Sequence, residues 1–577
     1  MAKSPPPEYV RLLEHSLLFY EAQRSGRLPT DQRVTWRHDS ALSDGSDVKL
    51  DLTGGYYDAG DYIKSTYPLC YTLFTLSWGG IEYMEGYKKA NQLNSLRTML
   101  KWGTDWLIKA HPEPSVLFVQ VGDAVLDNNY WGPDTTIPLP RPSYQINATA
   151  FGTDAAAAAS TAFAAASLFF RSTGDSDDQA YSNTLLQHAT QLYNASISIQ
   201  PFKQYQESVP AVSDVYRSSD YRDDLIFASL WMYRATNNND YFHNAELYYQ
   251  SFMSMGHTLP TDWDDKYGAM YILFAELTLN HGDTQQATAR RQEAERYLDG
   301  IESLKTANMT QGGMLWWDSV SNINSLVCAL STSNLMFLYS KTVLRPLAAS
   351  TSNEVHITKA LRYEAFAQRQ LDYAFGKNPS QQNFIVGERP NSPKNPHHAG
   401  ASGTVGFLHI NSTTPSAHIL YGALVGGPDR NDSYTDNRTD WRHSEVALDY
   451  NAPYQNILAH QAMYSPVNPF YMPNDGRFND TDVNPDGTPS LFPKSTSMPA
   501  WSLVLSVVLP VGGAFLLAFF LWRRHKVGSS DTVHSEEEDD EKRASVNSNT
   551  PILERPAASY TQGEKGTTFS MFSNARS

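Results

Sequence analysis

Between Glu8 and about Tyr471 apolar residues keep returning at spacings of three and four, and runs that alternate apolar with polar are few. A stripe at that spacing covers one face of an α-helix and has to be buried against another such stripe. Residues 1–472 are therefore predicted to form an all-α domain. The clearest helical stretches are 8–24, the alanine-rich 153–170, 222–235, 266–279, 285–304, 325–340 and 355–375. The loops between them carry most of the Gly, Pro, Asp and Trp, which makes the helices a scaffold and the loops its working face. No internal repeat is legible. At 577 residues with 41% hydrophobic content, the chain has material for one large core or two ordinary ones.

A second constraint lies downstream. From Trp501 to Trp522 the chain reads WSLVLSVVLPVGGAFLLAFFLW, without a charge. At about 1.5 Å per residue such a run spans a hydrocarbon core of roughly 30 Å. Residues 501–522 are expected to cross a membrane once, with Trp501 and Trp522 as interfacial anchors. Arg523, Arg524 and Lys526 follow at once, whereas only Lys494 stands near the other end. This asymmetry puts the C-terminus in the cytoplasm and the large domain outside, at the cell surface. Seven Asn-x-Ser/Thr sequons, at Asn147, Asn194, Asn308, Asn411, Asn431, Asn437 and Asn479, all precede the span. The opening MAKSPPPEYVRLLEH holds no apolar run of export-signal length, which points to a truncated N-terminus. Residues 473–500, rich in Asn, Asp, Pro, Gly, Ser and Thr, read as a stalk. Residues 523–577, with an acidic run from Ser535, read as a disordered cytoplasmic tail.

The net charge of -16 disfavours nucleic acid, whose phosphates demand a cationic surface. The only cysteines, Cys70 and Cys328, each sit in an apolar helical run, so buried free thiols are expected rather than a disulfide framework or a metal site. Aromatic residues are plentiful, with Trp 12, Tyr 33 and Phe 25. They suit stacking on sugar rings, and they suit a large core equally well.

Three clusters could carry chemistry. In Gly54-Gly55-Tyr56-Tyr57-Asp58-Ala59-Gly60-Asp61-Tyr62 two carboxylates lie three apart among residues free to turn tightly. Both could converge on one water, although a calcium loop or a plain turn fits the same letters. Hydrolysis of an acetal needs such a base together with a protonated carboxyl on the other side of the bond. A partner stands far downstream in the stretch from Tyr434 to Ala452, where Glu445 opens an apolar Val-Ala-Leu run among aromatics. Apolar surroundings raise a carboxyl's pKa, as a general acid requires, and a charged surface loop is the competing reading. Between Asn383 and Ala399 a proline-rich loop ends in His397-His398. No further ligand follows at zinc spacing, so hydrogen bonding to a polar ligand fits better than a metal.

In this order and at these separations, the three clusters resemble the three sequence signatures of glycoside hydrolase family 9, the cellulase family. The likeness covers residues 8–470, including Ser16 to Gly26, Trp36 to Ser40, Gln120-Val-Gly-Asp123, Tyr130-Trp131-Gly-Pro133, Tyr221 to Leu225 and Phe375 to Pro379. The last signature fits at Tyr434, Asp436, Trp441, Glu445, Ala447, Asn451 and Ala452. The resemblance implies an (α/α)6 barrel with a substrate cleft over one end, cleaving β-1,4-glucan with inversion. It assigns Asp61 as the base, Asp58 as a second carboxylate on the water and Glu445 as the acid, with His397 and Asp436 in contact and support. It places Trp131, Tyr221 and Trp263 along the cleft. Tyr57, Asn128, Trp317, His398 and Arg438, which stand in or beside the same runs, complete the expected substrate contacts. No cofactor is implied. Calcium is a structural ion in some members, but no ligand set can be assembled for it here.

Asn128, Arg389, Ala399 and the Ser321–Ser325 stretch with Asn324 depart from the family pattern at positions expected in or near the sugar site. Substrate choice therefore stays open between cellulose-like chains and another β-linked polysaccharide. A catalytically weak glycan-binding or sensing protein on the same fold is the alternative from another functional class.

Overall fold

The computed structural model describes residues 4–279, 284–406, 410 and 414–470. The stalk, membrane span and tail expected over 473–577 lie outside the described residues, as do the sequons at Asn411 and Asn479.

Among the described residues, the helices of at least 12 residues run in chain order as α1 (Pro7–Ala22), α2 (Thr66–Glu82), α3 (Leu93–Ala110), α4 (Thr153–Thr173), α5 (Ser176–Ser198), α6 (Arg222–Thr236), α7 (Asn239–Ser251), α8 (Tyr267–Thr278), α9 (Thr284–Glu302), α10 (Ser321–Tyr339), α11 (Glu354–Ala374) and α12 (Leu448–Tyr464). The even-numbered helices form a closed ring, each packing on the next and α12 returning to α2. The odd-numbered ones back them from outside, α5 on α4, α7 on α6, α9 on α8 and α11 on α10, while α1 leans on α12 and α3 on α2. Six inner helices within six outer ones is the arrangement expected of an (α/α)6 barrel.

Sequence chemistry explains which helix goes where. Inner α2, α8 and α12 are buried almost all round, whereas outer α3 and α5 bury one stripe and leave the rest to solvent. The alanine-rich α4 is by composition long and apolar enough to cross a membrane, yet 94% of its apolar stretch is buried inside the protein. Small side chains there let its neighbours approach closely. Close approach also joins α2 to α12, where a Cβ on Gly79 would meet Asn456 Oδ1 at 1.8 Å. Asn456 Nδ2 donates to Thr75 O at 2.7 Å across the same contact, a net contribution of about 1 kcal/mol.

Strands are confined to the loops. β1 (Lys64–Ser65), β2 (Leu117–Val121) and β3 (Ser143–Ile146) make an antiparallel sheet with β2 in the centre, Lys64 opposite Val121 and Leu117 opposite Ile146. β4 (Asn308–Met309) pairs with β5 (Leu315–Trp316). β1 directly follows the Gly54–Tyr62 loop, so the sheet pins the downstream end of that loop. Cys70 and Cys328 are buried free thiols, as their apolar helical settings predict.

Candidate active site

Three backbone segments meet over one end of the ring. His397 N–H donates to Ser444 O at 2.8 Å, Ala399 N–H to Gly60 O at 2.7 Å and Leu448 N–H to Asp58 O at 3.0 Å. These bonds bring the loop with Asp58 and Asp61, the loop with His397 and the start of α12 with Glu445 into one floor. Gly60 has to be glycine, because a Cβ there would stand 2.0 Å from His397 O and 3.0 Å from Glu445 Oε1. Its N–H donates to Glu445 Oε1 at 3.2 Å, so the residue beside Asp61 also holds the Glu445 carboxyl.

The carboxyl groups differ in their tendency to ionise. Burial raises Glu445 well above the ordinary range, and the charge of Asp61 raises it further. Burial also raises Asp58, with Asp449 and Asp61 adding like charge. Asp61 is pushed up only to about 6, because hydrogen bonds from its own backbone and from the Asp127 side chain oppose the desolvation. Desolvation thus favours the protonated form of Glu445, while hydrogen bonds hold Asp61 closer to the ordinary carboxylate range, the direction of difference that an acid and base pair needs. His397 supports this state. Its Nδ1 lies against the Arg438 carbonyl, which can only accept, so Nε2 is the bare nitrogen turned toward Glu445 Oε2 at 4.0 Å. Burial lowers the His397 pKa and keeps the ring neutral.

Of the other residues expected at the site, Asp436 accepts from Lys394 N–H and Asn395 N–H, each at 2.9 Å, and so braces the loop that carries His397. Trp131 stacks obliquely on His397 with ring centres 5.1 Å apart and donates its indole N–H to Thr404 Oγ1. Trp263 is half-buried, 4.8 Å from the Tyr216 ring. Beneath it the buried Lys266 Nζ ties Trp263 O at 2.7 Å to Asp224 at 3.1 Å. Tyr221 lies in an aromatic group with Phe202 and Phe252, Asn128 is exposed, and Trp317 is buried with its indole N–H on Thr258 O.

The direct sugar contacts expected of Tyr57, His398 and Arg438 are not open to them. Tyr57 is 0% exposed and bonds Ser40 Oγ; His398 is 0% exposed, with Nε2 on Gln23 Oε1 and Nδ1 on Ala401 N–H. Arg438 is buried and gives its guanidinium to Asn395 Oδ1 and Thr414 O. All three build the floor from behind. Arg389, expected near the sugar, is likewise buried, and it pairs with Glu8 of α1 at 3.4 Å. Ala399 is buried beside Tyr57, Tyr62 and Trp131, while Asn324 interrupts the helical geometry at φ -143 and ψ 58. Among the described residues no group of three His, Cys, Asp or Glu is placed to hold a metal ion.

Residues outside the sequence expectation also shape the site. Gln23, at the end of α1, donates from Nε2 to Ala59 O at 2.6 Å and accepts Tyr57 N–H on its carbonyl at 2.8 Å. Tyr216 donates its hydroxyl to Asp58 Oδ2, leaving the buried Oδ1 without a hydrogen-bond partner. Tyr216 sits in no cluster that the sequence singled out, and Gln23 lies in the Ser16 to Gly26 run without a role there, so their place in space assigns both to the site.

This geometry has relatives. Residues 9–458 match the model of glycosyl hydrolase family 9. Endoglucanase 15 of Arabidopsis thaliana is 38% identical over 482 residues, covering 79% of this chain and 94% of its own length. Endoglucanase B of Cellulomonas fimi is 37% identical over 470 residues, covering 79% of this chain, which spans only 42% of that protein. Among solved structures, the endoglucanase of the termite Nasutitermes takasagoensis aligns with a TM-score of 0.71 at 38% identity, over 80% of this chain and 99% of the other. Endoglucanase CelQ of Clostridium thermocellum, complexed with cellobiose and cellotriose, aligns at 0.68 and 28% identity, over 82% of this chain and 74% of its own. The chain belongs to glycosyl hydrolase family 9.

Proposed function

We propose that this protein is a membrane-anchored endo-β-1,4-glucanase that cleaves cellulose-like chains with inversion at the anomeric carbon. The observation that carries it is the convergence of the Asp58–Asp61 loop, His397 and Glu445 on one stitched floor, with Gly60 N–H on the Glu445 carboxyl. Ionised Asp61 takes a proton from water as the oxygen attacks, and Asp58, turned by Tyr216, offers its remaining oxygen to orient that water. Glu445 gives its proton to the departing glycosidic oxygen, with His397 beside it. The similarity to proteins named endoglucanases, and to CelQ complexed with cellobiose and cellotriose, supports a β-1,4-glucan as substrate.

The test is the product first released from a soluble β-glucan by the full chain in detergent, with the anomer read by NMR before mutarotation. The α-anomer at a newly formed chain end, with a rapid fall in viscosity, is expected. The β-anomer would remove the single-displacement mechanism, and release of short sugars without loss of viscosity would remove the endo mode.

Anchoring rests on the uncharged run at 501–522 with its basic flank, and outward exposure on that flank together with the exposed sequon residues Asn194, Asn308 and Asn431. The full chain expressed in cells is expected to stay with membranes through an alkaline wash, with the catalytic domain open to added protease from outside. Release by the wash would refute the anchor, and protection of the domain in intact cells would reverse the orientation.

A further inference from the structure

Lys266 is the residue before α8 and is 1% exposed. A cation at the head of a helix meets the positive end of the helix dipole, so nothing in the helix itself favours lysine there. What surrounds its ammonium is oxygen. Nζ lies 2.7 Å from Trp263 O, 3.4 Å from Asp264 O, 3.2 Å from the Tyr67 hydroxyl and 3.1 Å from Asp224 Oδ1. The Tyr67 hydroxyl donates to the other Asp224 oxygen at 2.6 Å, and the Asp224 side chain is fully buried. Asp223, also buried, accepts the Lys266 N–H at 2.7 Å, and its Oδ1 has no hydrogen-bond partner. Burial works against the Lys266 charge, yet Asp224 and Asp223 outweigh it and hold the ammonium above its ordinary pKa. Without the ammonium, Asp224 would be a buried carboxylate with no counter-charge, which is strongly destabilising.

Two backbone carbonyls, a phenol and a carboxylate form an all-oxygen donor set of the kind that also suits a hard cation such as calcium. Calcium takes about 6–8 oxygens at about 2.3–2.6 Å. Here the oxygens surround a nitrogen at hydrogen-bonding distances, and Nζ fills the place that a metal would need. The structural calcium of some family members therefore does not fit this pocket while the lysine stands in it. We propose that the Lys266 ammonium is the resident cation of this pocket, standing where a hard metal ion would otherwise be required, so that the cleft wall at Trp263 is held without calcium. Lys266 acts through Trp263, whose ring packs 4.8 Å from that of Tyr216, and touches no reacting atom.

The full chain in detergent is stripped with EGTA, and its unfolding midpoint is followed by tryptophan fluorescence in EGTA, in calcium and in magnesium, for wild type, Lys266→Ala and Lys266→Met. The wild-type midpoint is expected to stay within about 1 °C in all three, because an ion with no place to bind adds no stability. Lys266→Ala, which opens the oxygen set, is expected to unfold about 4 °C lower in EGTA. Calcium, which accepts irregular oxygen sets, should restore about half of that, and magnesium none. Lys266→Met, which fills the space with an apolar chain, is expected to fall by as much and to regain nothing in either metal. A wild-type midpoint that rises by about 3 °C or more in calcium overturns the proposal. So does a Lys266→Ala protein that matches wild type in EGTA, or one whose midpoint calcium leaves unchanged. The wild-type measurements decide the matter if neither variant folds.

Discussion

Replacing Glu445 by glutamine is expected to lower kcat on a β-1,4-glucan by about 10³-fold, because the amide cannot give a proton to the departing sugar oxygen. The fold should tolerate the change. Burial already favours the neutral form of Glu445, and a glutamine carbonyl can still accept from Gly60 N–H and Val446 N–H. The loss should also depend on the substrate. A cellobioside with a dinitrophenol leaving group needs no proton, so Glu445→Gln should cleave it within about tenfold of the wild-type rate. Steady-state rates on both substrates, with circular dichroism to confirm folding, make the check. Equal losses on the two would show that Glu445 is not the acid.

Asp61→Asn should cost as much, about 10³-fold, but on both substrates, since activating the water is required whatever leaves. Added azide, a nucleophile that needs no base, should restore turnover in Asp61→Asn and do nothing for Glu445→Gln on the glucan. The wild-type profile should show matching limbs. Activity falls as pH drops through about 6, where Asp61 takes a proton, and falls again at the higher pH where Glu445 loses its own. Wild-type turnover in Asp61→Asn, or a profile without the limb near 6, would move the base elsewhere.

These variants are chosen on residues that the chain itself announces, and the rest of the site was less legible. The helices expected over 8–24, 222–235 and 355–375 are observed as Pro7–Ala22, Arg222–Thr236 and Glu354–Ala374. The inner helices α2 and α12 were not among the clearest stretches, although the apolar run around Cys70 in α2 reads as helical. Pro453 inside α12 even argues locally against a helix. Tyr57, His398 and Arg438 share runs with the proposed catalytic residues, yet their side chains turn inward, and membership of a run does not say which way a side chain points. Gln23, Asp127 and Tyr216 show the reverse. Each is a common residue type, distant in sequence from its partner in the Asp58–Tyr62 loop.

What the amino-acid sequence determined alone is the helical class of residues 8–470, the ordered clusters carrying Asp58, Asp61, His397 and Glu445, and the uncharged run at 501–522. Each depends on residue type and spacing along the chain. What surrounds each carboxyl, and so how readily it would give up a proton, was decided by the tertiary structure. It half-buries Glu445, sets its carboxyl on Gly60 N–H one residue from Asp61, turns the bare His397 nitrogen toward it and leaves only glycine room at position 60. The physical reason is that a carboxyl's affinity for a proton depends on the dielectric, charges and hydrogen bonds around it, and here these come from segments hundreds of residues apart.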